Sequence, residues 1–129
     1  MANLFTPEIK VDPEAQSLVR AWIDALRSDN YEQGDAFLRK DDKYCCLGVL
    51  CELAPDVERT YDAHSNHYLY DNQQSVLPQR VYDLVHLTSD LGSYDFGRGV
   101  DSLTSLNDTG QSFQRIADLI ERELKEALA

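Results

Sequence analysis

The stretch Tyr44-Cys45-Cys46-Leu47-Gly48-Val49-Leu50-Cys51-Glu52-Leu53-Ala54 constrains the fold more than any other part of the chain. From Cys45 to Ala54 it carries a single charge, Glu52. A run this apolar has to be buried, and periodicity alone does not separate a buried strand from a buried helix. Its length and its end at Ala54-Pro55 favour a helix over about 46–54, entered from a short extended piece at Tyr44-Cys45. Gly48 costs such a helix about 1 kcal/mol relative to alanine. Its presence therefore predicts a close helix crossing.

Other segments must cover this element. Asp12-Pro13-Glu14 has the form of a helix start, with a capping carboxylate, a proline suited to the first turn and an acid at the positive end of the dipole. Ala15, Leu18, Val19, Trp22, Ile23, Ala25 and Leu26 follow at spacings of three and four, which predicts one buried helical face over about 13–28. Leu77-Pro78 opens a second helix to about residue 87, with Val81, Leu84 and Val85 inward. Phe113, Ile116, Ala117, Ile120, Leu124 and Leu128 mark a third over about 112–127. Residues 1–11 read as an extended lead-in. Residues 31–44 and 55–75 read as polar and irregular, with alternation across His67 to Tyr70 hinting at a strand. Residues 88–111 read as loop, with a small strand at Tyr94 to Phe96, a turn at Gly97-Arg98-Gly99 and a tight turn at Asn107-Asp108-Thr109-Gly110. The expectation is one domain over 1–129, mainly α with α+β as the alternative, built from four or five helices and a small β-hairpin.

Charge narrows the function. The chain has 12 Lys+Arg against 23 Asp+Glu, a net of -11. Duplex binding draws its affinity from Lys and Arg on phosphates, and no window here offers a basic stripe. The acids are spread along the chain, which disfavours nucleic acid and anionic membranes as partners. No apolar run approaches the roughly 20 residues of a membrane span. The N-terminal residues lack the basic and apolar regions of a signal peptide. Three clustered cysteines, Cys45, Cys46 and Cys51, read as reduced thiols in a cytoplasm.

Three blocks taken together resemble a group of small proteins encoded by tailed bacteriophages and prophages. They are Trp22-Ile23-Asp24-Ala25-Leu26-Arg27-Ser28 with Tyr31 and Gln33; Tyr44-Cys45-Cys46-Leu47-Gly48-Val49-Leu50-Cys51-Glu52-Leu53; and Leu106-Asn107-Asp108-Thr109-Gly110 with Ser112-Phe113 and Ile116-Ala117-Asp118-Leu119-Ile120-Glu121. The resemblance runs from about Trp22 to Glu121. It implies a phage accessory protein at work in the host cytoplasm. That group carries no assigned activity, so no catalytic residues transfer.

Each chemically suggestive cluster has a functional and a packing reading. Cys45 or Cys46 at a helix N-terminus could be an activated thiolate, with Asn107, Asp108 or a histidine completing the site. Free cysteine is also among the most buried residue types, and core packing is the favoured reading. Cys45, Cys46, His64 and His67 could offer metal ligands, but adjacent cysteines are an unusual zinc spacing, and no metal or other cofactor is expected. Asp41, Asp42 and Asp108 are not placed opposite one another by any pattern. Asn107 and Asp108 suit a turn that caps the last helix. Tyr61, His64, His67, Tyr68 and Tyr70 form a candidate contact segment, because tyrosine is a rigid amphipathic contact residue. The preferred expectation is a non-enzymatic protein that binds a host protein, a cytoplasmic factor or defence component. The alternatives are a small-molecule (nucleotide or signal) sequestering protein using donors such as Arg27, Arg39 or Arg98, and a cysteine-dependent enzyme.

Overall fold

Helix α1 spans Pro13–Arg27 and buries Ala15, Val19, Trp22, Ile23 and Leu26. The Asp12 side chain caps it, accepting from the Ala15 N–H at 3.1 Å, in the first turn where backbone donors have no helical partner. Helix α2, Cys46–Leu53, is buried from Cys46 through Cys51. Two short helices follow, α3 at Gln79–Leu84 and α4 at Leu103–Asp108. The last helix, α5 at Phe113–Leu128, is capped by Ser112 and turns Phe113, Ile116, Ala117, Ile120 and Leu124 inward. The structure, a computed structural model, describes residues 3–95 and 99–129.

Helices α1, α2 and α5 share one core. Trp22, Leu47, Leu50, Ile116 and Ile120 are fully buried there. Arg27 closes the outer edge between α1 and α5, reaching Asp118 at 2.7 Å and Glu121 at 3.2 Å. Gly48 has a definite reason. A Cβ built on it would lie 1.7 Å from the Leu38 carbonyl oxygen. The close neighbour is thus the backbone of the segment before β2, and not a crossing helix.

The strands form two sheets. Strands β1 (Glu32–Gln33), β2 (Arg39–Lys40), β3 (Lys43–Tyr44), β4 (Arg59–Asp62) and β5 (His67–Tyr70) assemble in the order β1-β3-β2-β5-β4. The β1–β3 pair is parallel and the other neighbours are antiparallel. Strands β6 (Ser93–Asp95) and β7 (Val100–Ser102) make a separate antiparallel pair.

This architecture corrects the mainly α expectation. Among the described residues, five α-helices are joined by a five-stranded mixed sheet and a two-stranded sheet, so the chain is α+β. A single small hairpin understates it. Three of the five sheet strands are two residues long. Alternation needs several residues to show, so such strands leave no period in the sequence. β2 and β3 pair locally across Asp41-Asp42, and the parallel β1 lies on the other side of Lys43 and Tyr44. Residues 7–11 form a 3-10 helix inside the supposed extended lead-in. Leu103 and Leu106, placed in a loop, belong to α4, whose Ser102 cap accepts from the Ser105 N–H. The second helix is shorter than expected, stopping at Leu84.

Candidate functional site

The three sequence blocks meet at one residue. The Trp22 Nε1–H donates to the Cys46 carbonyl at 2.8 Å, and the Cys46 N–H donates to Asn107 Oδ1 at 3.1 Å. The Cys46 thiol points at the Leu103 carbonyl, 3.6 Å away. Asn107, only 3% exposed, spends its whole side chain here. Its Oδ1 also accepts from Gln33 Nε2 at 3.1 Å, and its Nδ2 donates to the Gly34 carbonyl at 2.8 Å. Gln33 reaches on to the Gln111 carbonyl at 2.7 Å. One buried amide thereby joins α2, α4 and the β1 region. Buried polar groups must be paired in this way to offset lost hydration.

The cysteines are packing. Cys45, Cys46 and Cys51 are free and buried, at 5%, 0% and 3% exposure. Cys45 is the N-cap of α2, and its sulfur accepts from the Gly48 N–H at 3.4 Å. That position favours a thiolate, yet burial outweighs it and pushes the Cys45 thiol up to about 11. Burial likewise raises Cys46 and Cys51 well above an ordinary thiol. Thiols that stay protonated and covered have neither the charge nor the access a nucleophile needs.

An open cleft of about 590 Å3 lies over the Asn107 junction, with Gln33, Gly34, Lys40, Lys43 and Asp108 among its walls. Asp108 Oδ1 accepts from the Ala36 N–H at 3.1 Å, at a residue held in the left-handed region with φ of 68°. The amide donors Asn107 Nδ2 and Gln33 Nε2 are committed to the chain itself, so they are not spare donors for a ligand. No group of three or more His, Cys, Asp or Glu among the described residues is placed to hold a metal ion.

The sheet carries a different constellation. Tyr61 and Tyr68 are direct cross-strand partners on β4 and β5, with ring centroids 5.0 Å apart. The Arg39 guanidinium lies 3.9 Å from the Tyr68 ring centroid and 4.9 Å from that of Tyr44. Tyr31 then meets Tyr44 edge-on at 5.1 Å. The row Tyr61–Tyr68–Arg39–Tyr44–Tyr31 thus crosses one face of the sheet. Tyr61 is 51% exposed, and its hydroxyl bonds Asn66 Oδ1 at 3.0 Å, fixing the ring. Below this row, Glu52 of α2 accepts from Arg59 at 2.8 Å and from the Tyr70 hydroxyl at 2.5 Å. Burial and that carboxylate push the Tyr70 phenol well up, so it stays protonated as a donor.

The contact segment expected from sequence therefore divides. Tyr61 and Tyr68 come together on the face that Tyr70 shares, with Tyr61 exposed and Tyr68 partly buried. Tyr70 is buried against Glu52. His67 is buried on the other face of β5, stacked on Phe37 with centroids 4.9 Å apart. His64 lies in the exposed β4–β5 turn, where its N–H donates to Asp62. Arg27 is committed to α5, and Arg98 lies outside the described residues. Arg39, named from sequence only as a donor for a small anion, is instead sandwiched between rings. Tyr31 and Tyr44 belong to the family-like blocks but carry no sign of a contact role in the sequence. The signal for Tyr44 was its position just ahead of the apolar run, at the point where a short extended entry had been expected.

These features define a small α+β scaffold whose sequence blocks serve its core and whose sheet carries a row of half-buried rings that ends in the exposed Tyr61. A family model described as a domain of unknown function (DUF8296) matches residues 15–124, and the chain belongs to that family. No curated protein and no solved structure matches the chain. No described helix is long and apolar enough to cross a membrane.

Proposed function

We propose that this chain is a non-enzymatic binding protein of phage or prophage origin that engages a host protein in the host cytoplasm through the tyrosine–arginine face of its sheet. The observation that carries this reading is the row Tyr61–Tyr68–Arg39–Tyr44–Tyr31, with Tyr61 half exposed at its end. Tyrosine and arginine are enriched among interface hot spots, tyrosine because it buries a large ring for few rotors and arginine because its planar guanidinium stacks and donates several hydrogen bonds. Here the rings and guanidinium are held against each other before any partner arrives, which lowers the ordering cost of association. The phage origin rests on the resemblance of the three blocks, and the cytoplasmic setting on that resemblance and the reduced thiols.

Two competing readings have weaker support. A cysteine enzyme needs a reachable thiolate, and burial opposes both access and charge. A sequestering protein for small anions would use the cleft beside Asn107, where the amide donors are spent within the chain and Glu32, Asp35, Asp41, Asp42 and Asp108 outnumber Lys40 and Lys43 on the walls. Capture from a bacterial lysate with wild type, Tyr61→Ala and Tyr61→Phe tests the proposal. A species retained by wild type and Tyr61→Phe but lost with Tyr61→Ala is the expected outcome. Equal retention by all three overturns the reading.

A further inference from the structure

Strand β4 ends the five-stranded sheet, with β5 on one side of it and no strand on the other. Resting on the binding reading above, we infer that the partner enters as an extended segment, which adds a strand to the sheet along β4 and is held by its main chain beside Tyr61. The hydrogen-bond parity of the β4–β5 hairpin carries this. The Asp71 N–H donates to the Glu58 carbonyl at 2.7 Å, and the Asn66 N–H to the Asp62 carbonyl at 2.9 Å. Glu58 and Asp62 thus turn their backbone groups toward the β5 side. Bonded and non-bonded positions alternate along an antiparallel pair. Thr60 therefore also faces β5, and Arg59 and Tyr61 turn their N–H and C=O groups outward. Among the described residues, nothing bonds these outward groups.

A row of alternating donors and acceptors at strand spacing is complementary to another extended chain. Natural sheet edges are commonly blunted by proline, a bulge, a lysine or a covering element. None of these guards β4. Arg59 to Asp62 pair one to one with Tyr70 to His67, and Arg59, Thr60 and Tyr61 are exposed. The two charges of the strand are engaged elsewhere: Arg59 with Glu52 at 2.8 Å, and Asp62 with the His64 N–H at 2.9 Å. At the other end of the sheet, β1 offers only two residues. A second copy of this chain is the poorer occupant. The two-fold pairing that sets Arg59 opposite Tyr61 also sets Glu58 opposite Asp62 at both ends, and like charges directly opposite are unfavourable. A net of -11 on each copy adds to that repulsion.

The probe is a short peptide alternating Val and Ser, titrated into isotope-labelled full-length protein and followed by NMR beside the same peptide N-methylated at every residue. The unmodified peptide is expected to shift the Arg59 and Tyr61 amide signals and to slow their exchange with solvent. The methylated peptide keeps the side chains but has no main-chain donors, and should bind about tenfold more weakly. Arg59→Pro and Arg59→Ala separate main chain from side chain. Both lose the contact with Glu52, but only proline, tolerated at the first position of a strand, also removes an outward N–H. Peptide binding should be about tenfold weaker with proline than with alanine. Slow exchange at Thr60 and Asp62 checks that β4 still pairs with β5; should proline loosen it, the methylated peptide against wild type decides. Equal binding of the two peptides, or no shift at Arg59 and Tyr61, overturns the inference. So do shifts of these amides on concentrating the protein alone, which would assign the edge to a second copy. The lysate experiment separates the two levels. Capture that depends on Tyr61 but is retained equally by Arg59→Pro and Arg59→Ala leaves the binding reading standing and sinks strand addition. Capture that ignores Tyr61 sinks the binding reading and this inference with it.

Discussion

Three thiols sealed in a core give the protein an alkaline weakness. In the unfolded chain they ionise near pH 8.5, while burial holds Cys45 up to about 11 and raises Cys46 and Cys51 as well. Between those values the folded state binds more protons than the unfolded one, so stability falls as pH rises. Urea midpoints measured under reducing conditions should be flat around pH 7 and drop steadily from about pH 9 upward. Replacing Cys51 with alanine should make that slope shallower. Gly48→Ala makes a sharper point at the same scale. Helix propensity favours the alanine by about 1 kcal/mol, but its methyl group would sit 1.7 Å from the Leu38 oxygen. Overpacking of this kind costs about 3 kcal/mol, so the substitution should lower the denaturation midpoint or prevent folding. The need for a glycine was readable from the residue string. Its neighbour was not, because the Leu38 backbone arrives from outside the helix.

Elements differ in how plainly a sequence announces them. Helices α1 and α5 were legible because 15 and 16 residues repeat the helical period several times, and Asp12 and Ser112 mark their starts. The five-stranded sheet was not, because β1, β2 and β3 are two residues each, too short to show alternation even where β2 and β3 pair across the Asp41-Asp42 turn, and β2 finds its other partner in the distant β5. Of the candidate site, the tyrosines of β4 and β5 could be anticipated as contact residues, but which face each occupies depends on a register that only the folded sheet sets. Asn107 looked like a turn residue from its neighbours and is the pin between elements. Asn107→Asp tests that role. It keeps the shape, removes the donor to Gly34, and places a carboxylate in a buried site beside Asp108. A loss of about 3 kcal/mol is expected in chemical denaturation, with the secondary structure of α1 and α5 retained to the transition.

At the scale of the molecule, acidity and solvent exposure are coupled. His86 holds the Asp12 carboxyl below the usual range, Arg27 does the same for Glu121, and the His64 N–H for Asp62. Each contributes stability that is present above the unfolded carboxylate value, about pH 4, and is lost as pH falls through the lowered one. The melting temperature should therefore decline on acidification below about pH 4, in addition to the alkaline decline. Between those limits the scaffold supports a row of rings that is half-buried except at Tyr61. The division of labour, with the sequence blocks building the junction at Cys46 and the sheet face making contact, is tested most directly by hydroxyl-radical footprinting of the protein alone and with its captured partner. Tyr61 and Tyr68 should be oxidised readily in the free protein and protected in the complex, with the cleft beside Asn107 unchanged. Protection confined to Lys40, Lys43 and Asp108, with Tyr61 as reactive as before, would contradict the account.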